Sequence, residues 1–249
     1  NSVTLPTHYL ISNSTGAEGT DGSVTSFNTN GFSLTTDAGV SYNYSGSTYV
    51  AWQWNAGSNT SVSNTTGSIT STVSANATAG FSIVTYTGVG TGSAKTFGHG
   101  LGVAPSMFFI KDRQAGTTAT DNWVVYHASA GTPGTGALYL NTTSAFVTAN
   151  SFFNNTAPTS SVITVGGTAS NVNNESGIGY VAYCWAQVPG FSQFGTFTSN
   201  GTADGSFVYT GFRPKYVLIK PTSGAANWIV QDTARDPYNV AIELLNPDG

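Results

Sequence analysis

The segment that indicates the fold most clearly runs Gly102-Val103-Ala104-Pro105-Ser106-Met107-Phe108-Phe109-Ile110-Lys111. Its apolar run, from Met107 to Ile110, is typical of a short strand that is buried on both faces, or nearly so. Similar runs of β-branched and aromatic residues recur along the chain, each bounded by Gly, Asn, Pro or Ser. They are Phe81 to Tyr86, Trp123 to Tyr126, Tyr180 to Trp185 and Lys215 to Lys220. This pattern predicts an all-β fold of the sandwich type, either jelly-roll or lectin-like.

Three residues of this segment have roles that the sequence predicts. Gly102 permits a turn with positive φ, and Pro105 fixes φ ahead of the buried strand without interrupting its ladder. Lys111 ends the strand. We expect its amine to reach solvent and to discourage edge pairing, with ligand contact as the alternative.

The same segment occurs twice, which defines the front half of a repeat. Residues 211–220 read Gly-Phe-Arg-Pro-Lys-Tyr-Val-Leu-Ile-Lys, so Lys220 takes the place of Lys111. The separation between matching segments drifts only from 110 to 105 positions, which short loop deletions explain. Three further matches are Gly80-Phe81-Ser82 with Gly190-Phe191-Ser192, Asn122 to Val125 with Asn227 to Val230, and Leu138 to Asn141 with Glu243 to Asn246.

A second match joins the start of the chain to its middle and defines the back half of the repeat. Residues 43–54 match residues 174–185 at a constant separation of 131 positions. Phe32 and Leu34 fall on Ile163 and Val165 at that same separation.

Together the matches predict two β-sandwich modules built from an internal repeat. Residues 1–56 are a back half, 57–67 a linker, 68–188 a complete module and 189–249 a front half. The halves are expected to complete each other within the chain, to pair between subunits, or to be completed by sequence outside this chain.

Composition excludes several classes of protein. Among 249 residues only 7% are charged, with seven Lys and Arg in all and a formal net charge of −4. A nucleic-acid-binding groove needs clustered cations, so we expect no nucleic-acid partner. No apolar run is long enough to span a membrane. The single cysteine, Cys184, lies in an apolar run and is expected to be a small buried side chain.

Five residues are candidates for contact with a ligand or partner: Trp123, Trp228, Lys111, Lys220 and His99. Exposed indole rings are common platforms for sugars, but both tryptophans lie inside strand patterns, where core packing is the alternative. His99 lies in the loop Gly98-His99-Gly100, which the second copy of the motif lacks.

The sequence predicts no catalytic residue, no cofactor site and no metal site. The richest carboxylate cluster, Asp232, Asp236 and Glu243, has no acidic counterpart in the complete module. We therefore expect a polar turn in which Arg235 braces a carboxylate, with glycosidic hydrolysis by an acid pair as the alternative. No His-x-His, HExxH or Cys-x-x-Cys motif is present to suggest zinc.

The repeated motifs resemble β-rich modules of virion proteins from tailed phages, especially marine ones. The resemblance rests on residues 211–220, on Asn227-Trp228, on Asp236-Pro237-Tyr238-Asn239, and on the strands 49–54 and 180–185. It implies a tail fibre, spike or capsid-surface decoration, located on the virion or outside the cell and without catalytic residues. Its partners would be other copies or other virion proteins, and a host-surface glycan. The alternatives are a secreted lectin-like carbohydrate-binding module and a polysaccharide-degrading enzyme.

Overall fold

A computed structural model describes residues 8–20, 24–35, 43–57, 60–90, 92–114, 121–166 and 172–249. Within these ranges almost all regular structure is β-strand, which confirms the all-β prediction. The first eight strands are β1 (His8–Tyr9), β2 (Gly19–Thr20), β3 (Val24–Asn28), β4 (Gly31–Leu34), β5 (Val62–Asn64), β6 (Ser71–Asn76), β7 (Phe81–Thr87) and β8 (Lys95–Gly98). The others are β9 (Met107–Asp112), β10 (Val124–His127), β11 (Gly136–Tyr139), β12 (Val147–Thr148), β13 (Val162–Val165), β14 (Gly179–Trp185), β15 (Tyr216–Ile219) and β16 (Ile229–Asp232).

The five apolar runs picked out in the sequence all contain strands, namely β7, β9, β10, β14 and β15. One α-helix, α1, spans Asn150–Phe153 in the described part of the chain. No helix within the described ranges has the length and apolar character needed to cross a membrane. Gly102 has a φ of 74° and Gly211 a φ of 79°, so both begin the turn that the Gly-x-x-Pro motif predicts.

An antiparallel sheet of eight strands forms the centre of the molecule, in the order β12-β11-β10-β9-β14-β7-β6-β5. β14 lies between β9 and β7, pairing Trp185 with Met107 on one side and with Phe81 on the other. Strands that are distant in sequence therefore become neighbours at the middle of the sheet. The strand β5 falls inside the segment predicted as a linker (57–67), of which residues 58–59 lie outside the described residues.

A second layer covers one face of this sheet. The two-stranded antiparallel sheet β8–β13 and the helix α1 pack against it around a core of aromatic side chains. Phe97 on β8 stacks on Tyr86 of β7 with ring centroids 4.3 Å apart, and Tyr86 stacks in turn on Tyr180 at 5.1 Å. Cys184 belongs to this core and is buried, as the sequence predicts.

The opposite face of the sheet is covered by the two ends of the chain. Leu10 from the N-terminal segment and Trp228 and Leu218 from the C-terminal segment pack with Trp123 and Leu138 in a second apolar cluster. The central strand β9 is therefore covered on both faces, which confirms the prediction made from its apolar run. The division of the chain into two sandwich modules remains a prediction.

Candidate functional site: two tryptophan–lysine clasps

Two of the candidate residues, Trp123 and Lys111, bind the N-terminal segment. The Trp123 indole is buried, and its Nε1–H donates to the carbonyl of Ile11 at 3.0 Å. The Lys111 amine donates to the carbonyl of Thr15 at 3.3 Å. We name the pair, together with the Arg113 carbonyl described below, the first clasp.

Backbone and side-chain hydrogen bonds fix the position of Trp123. Its own N–H donates to Asn141 Oδ1 at 2.9 Å, and its carbonyl accepts from the N–H of Leu140 at 3.0 Å. Asn141 is held in turn, because its Nδ2 donates to Asn122 Oδ1 at 2.7 Å. The indole is thus oriented before it meets the N-terminal segment.

Lys111 is buried instead of reaching solvent, which corrects the sequence-based expectation for its amine. The N-terminal segment covers the end of β9, and the ammonium group forms an ion pair with the carboxylate of Asp112 beneath it. Burial above all, together with contact with Asp121, raises the pKa of Asp112 to about 6 against the opposing effect of Lys111. The ion pair is almost completely shielded from solvent.

Arg113 and Glu18 strengthen the first clasp at its margin. Arg113 donates from Nε and from a terminal nitrogen to the two oxygens of Glu18, at 2.8 and 2.9 Å. The Glu18 N–H donates to the Arg113 carbonyl at 3.1 Å, so side chains and backbone pair together. A cleft of about 210 Å³ opens beside this pair, with His8 and Tyr183 among its lining residues. It is smaller than most ligand pockets, which measure roughly 300–1,000 Å³.

The other two candidates, Trp228 and Lys220, form a second clasp of the same kind with the carbonyl of Thr222. The Trp228 indole N–H donates to the carbonyl of Tyr139 at 2.7 Å. The Lys220 amine donates to the carbonyl of Thr143 at 2.9 Å and also to that of Ala226.

The backbone completes the second clasp. The N–H of Phe146 donates to the Thr222 carbonyl at 3.0 Å, and the N–H of Ala226 donates to the Thr143 carbonyl at 2.9 Å. Burial lowers the pKa of the Lys220 amine, and the carboxylate of Asp248 offsets part of that effect. Unlike Lys111, Lys220 remains partly exposed, and the residue that follows it is Pro221 instead of an aspartate.

His99 lies apart from both clasps, in the core under β8. Its ring is fully buried, Leu101 N–H donates to Nδ1 at 3.3 Å, and Nε2 faces the carbonyl of Thr159 at 3.1 Å. These partners require a neutral ring with its proton on Nε2. Burial lowers the pKa of His99, which agrees with the neutral form.

The carboxylates at the C-terminal end brace turns. Asp232 Oδ2 accepts from Arg235 Nε at 2.7 Å, and its Oδ1 accepts from the N–H groups of Ala234 and Arg235. Burial raises the pKa of Asp232, but the hydrogen bonds from Arg235 and the backbone outweigh it, so the pKa lies below its usual range. Asp236 accepts from the N–H of Glu243 at 2.6 Å. The polar turn expected from the sequence is present.

The indole and amine groups of the clasps donate hydrogen bonds to main-chain carbonyls, so the clasps bind segments of polypeptide. The sequence reasoning found their donors but missed their acceptors, Ile11, Thr15, Tyr139 and Thr143, because a carbonyl acceptor has no side-chain signature. A visible signal did exist, since Leu10-Ile11-Ser12-Asn13 and Leu138-Tyr139-Leu140-Asn141 share the pattern Leu-x-x-Asn. Within the described ranges no three His, Cys, Asp or Glu side chains come together in a way that could hold a metal ion.

Comparison with known proteins places the chain in a family. No curated protein matches it significantly, and no solved structure does. A family model matches along the whole of residues 1–249, and its description is a domain of unknown function, DUF7483. The chain is therefore a member of the DUF7483 family.

Proposed function

We propose that this protein is a structural component of a phage particle, as a tail fibre, a spike or a capsid-surface decoration. The proposal rests on the observation that polar side chains of this protein bond to segments far away in the sequence. The Lys111 amine, the two tryptophan N–H groups and the Arg113–Glu18 ion pair tie distant parts of the chain together. Such a molecule is suited to holding its shape outside a cell, where neither chaperones nor repair reach it.

The resemblance of residues 211–220 and 227–228 to phage virion modules supports the same function. Those residues form the β15 segment and the second clasp, so the resembling motif is one that holds the chain together. The proposal places the protein on the virion or outside the cell and assigns it no catalytic residue, no cofactor and no nucleic-acid partner.

Exposed apolar side chains support other copies or other virion proteins as its partners. Large apolar residues that are exposed within the terminal segments include Phe27, Phe191, Phe207, Tyr209, Tyr238 and Val240. Charged residues make up only 7% of the whole sequence. Exposed apolar side chains mark subunit contacts where they form contiguous patches, and we propose that some of these residues do so.

Labelling of purified particles tests the proposal. Antibodies raised against this chain should decorate intact virions at one defined structure in electron micrographs, and the chain should appear in the particles by mass spectrometry. A protein confined to infected-cell lysate, and missing from particles purified by density gradient, would contradict the proposed function.

Glycan binding is the second candidate function, and exposed tyrosines favour it. Tyr209 and Tyr238 present most of their surface to solvent, and a tyrosine ring offers an apolar face to a sugar while its hydroxyl bonds to water or to the ligand. A glycan array with the full-length protein should give a signal that Tyr209→Ala or Tyr238→Ala removes. The buried Trp123 and Trp228 are expected to contribute nothing directly.

An assay of depolymerisation separates both functions from an enzyme. We expect neither the wild-type protein nor the variant Asp232→Ala/Asp236→Ala to depolymerise the polysaccharides in a test mixture. Turnover by the wild-type protein that this folded variant loses would establish an acid pair and overturn the structural assignment.

A further inference from the structure

We propose that residues 8–57 and 190–249 together form a second unit built like the complete unit, which we extend to residues 60–188 because β5 joins its sheet. The two clasps are one reciprocal interface between these units. We name the second unit the split unit. The interaction surface is a clasp, and the partner that it fits is the Leu-x-x-Asn segment of the opposite unit. This inference rests on geometry and is independent of the proposed function.

The front part of the split unit repeats the strand pairing of the complete unit. Every residue pair between β15 and β16 matches a pair between β9 and β10, at separations of 109 positions on the first strand and 105 on the second. The matching pairs are Tyr216–Asp232 with Met107–His127, Val217–Gln231 with Phe108–Tyr126, Leu218–Val230 with Phe109–Val125, and Ile219–Ile229 with Ile110–Val124. A one-residue slip would have reversed the faces of every side chain, so the common register is specific.

The back part of the split unit repeats a second piece of the complete unit. The pairs His8–Thr20 and Tyr9–Gly19 between β1 and β2 match Gly136–Thr148 and Ala137–Val147 between β11 and β12, all at a separation of 128 positions. Further along, the Tyr49 hydroxyl accepts from the N–H of Tyr44 at 3.0 Å, and the Tyr180 hydroxyl accepts from the N–H of Glu175 at 3.0 Å.

Contacts also join the N-terminal and C-terminal parts of the split unit, whereas the complete unit is a single stretch of chain. In the complete unit Trp185 and Met107 are cross-strand partners on β14 and β9. Their counterparts are Trp54 and Tyr216, and these rings lie 6.1 Å apart, edge to face. Near the chain ends, Ser12 Oγ donates to the carbonyl of Pro247 at 3.0 Å.

The geometry also corrects the sequence alignment of the last strand by two positions. Val230 exchanges backbone hydrogen bonds with Leu245, as Val125 pairs with Leu138. The carboxylate of Asp248 accepts from the N–H of Trp228 at 3.1 Å, in the place that Asn141 takes beside Trp123. Residues 245–248, instead of residues 243–246, therefore take the part that 138–141 play beside β10. The part that 138–141 play in the opposite clasp is taken by residues 10–13.

The two clasps are reciprocal. The first clasp belongs to the complete unit and binds the split unit, and the second belongs to the split unit and binds the complete unit. Each of three hydrogen bonds in one clasp has a counterpart in the other, at separations of 105 or 109 positions on the clasp side and 128 on the bound side. They are Trp123 to Ile11 with Trp228 to Tyr139, Lys111 to Thr15 with Lys220 to Thr143, and Glu18 to Arg113 with Phe146 to Thr222.

This arrangement is that of an isologous dimer made within one chain. Leu10 and Leu138, one from each bound segment, pack in the same apolar cluster between the units. The indole and the amine fix two carbonyls that are four residues apart, while the leucine supplies apolar contact. The bound segment is thus selected by the direction of its backbone and by one leucine.

Amide hydrogen exchange in the full-length protein tests the reciprocity. The variants Trp123→Phe and Trp228→Phe each keep an aromatic ring and remove one indole N–H. The amides to follow are Glu18, which reports the first clasp, and Phe146, which reports the second. If the clasps form one interface, either variant should speed exchange of both amides by roughly tenfold or more, since loss of a buried hydrogen bond opens the whole contact.

Other outcomes would overturn the inference. If the clasps are independent contacts, each variant will speed hydrogen exchange only at the amide of its own clasp. If the indole hydrogen bonds do not hold the units together, the exchange rates of both amides will be unchanged. Lys220→Met, at a partly exposed position, provides a milder break of the second clasp if Trp228→Phe fails to fold. Phe207→Ser, at an exposed position outside both clasps, is the matched control and should leave both amides unchanged.

Discussion

The ion pair between Lys111 and Asp112 is the most consequential buried polar contact in the first clasp. The Lys111 side chain has no exposed surface, and that of Asp112 has only 7% of its surface exposed. Changing Asp112 to Ala would leave the ammonium group with the Thr15 carbonyl as the acceptor that the structure shows for it. The amine must then stay charged in the core, lose its proton, or pull the N-terminal segment open.

The expected loss follows from this burial. Removing one member of a buried ion pair costs about 3–5 kcal/mol of unfolding free energy, because an uncompensated charge is left behind. A loss of that size changes the folding equilibrium by roughly a hundredfold or more. The double variant Lys111→Met/Asp112→Ala removes both charges, and we expect it to recover most of the stability that Asp112→Ala loses.

Urea unfolding of the full-length protein, followed by far-ultraviolet circular dichroism and by tryptophan fluorescence, measures these differences. Lys220→Met is the matched control, since the equivalent amine is partly exposed and forms no ion pair among the described residues. Its loss should be nearer 1 kcal/mol, that of an ordinary hydrogen bond. If Asp112→Ala costs less than about 1 kcal/mol, or if the double variant is no better than the single one, the reasoning about a desolvated pair is refuted.

Three further predictions concern pH, core packing and a turn. Because burial raises the pKa of Asp112 to about 6 in the folded protein, the folded state binds the proton more tightly, so this group favours folding increasingly as pH falls from 6 to 4. The protonated carboxyl still offers Lys111 an acceptor oxygen, which the alanine of Asp112→Ala does not. The stability difference between the wild type and Asp112→Asn should shift in favour of the wild type by up to about 2 kcal/mol across that window in urea titrations, and a flat difference would contradict the assignment. Phe97→Ala, which removes a fully buried ring, should lower the free energy of unfolding by about 3–5 kcal/mol. Phe207→Ala, at a ring that is 90% exposed, should change it by less than about 0.5 kcal/mol. Thermal melts that fail to rank the two variants in this order would contradict the core described here. Gly102→Ala should cost about 1 kcal/mol, because its φ of 74° strains any side chain although there is open space around it, and an unchanged unfolding midpoint would show that the turn relaxes.

Local pattern was sufficient to predict five of the strands, β7, β9, β10, β14 and β15. The apolar run at Met107–Ile110 indicated a strand covered on both faces, and β9 is such a strand. The order of strands was beyond reach, because β14 enters between β9 and β7 through contacts that depend on the whole fold. No local rule specifies which of several similar strands will pair over such distances.

The candidate site shows the same division between local and long-range information. Repetition in the sequence singled out Trp123 and Trp228, and both donate from their indoles in equivalent clasps. The burial of Lys111 could not be predicted, because it depends on Thr15 and its neighbours, nearly a hundred positions away, covering the end of β9. Only the folded chain shows that a lysine at a strand end faces the interior.

Cleavage of the folded full-length protein tests the central claim most directly, that the ends of the chain are held by clasps as well as by the covalent chain. A recognition sequence for a specific protease would be inserted between residues 57 and 60 and cut after folding. The account predicts that the N-terminal fragment stays bound at micromolar concentration in native mass spectrometry, and that Trp123→Phe makes it dissociate at least roughly tenfold more readily. Immediate release of that fragment from a remainder that keeps its β-sheet circular dichroism would contradict the account.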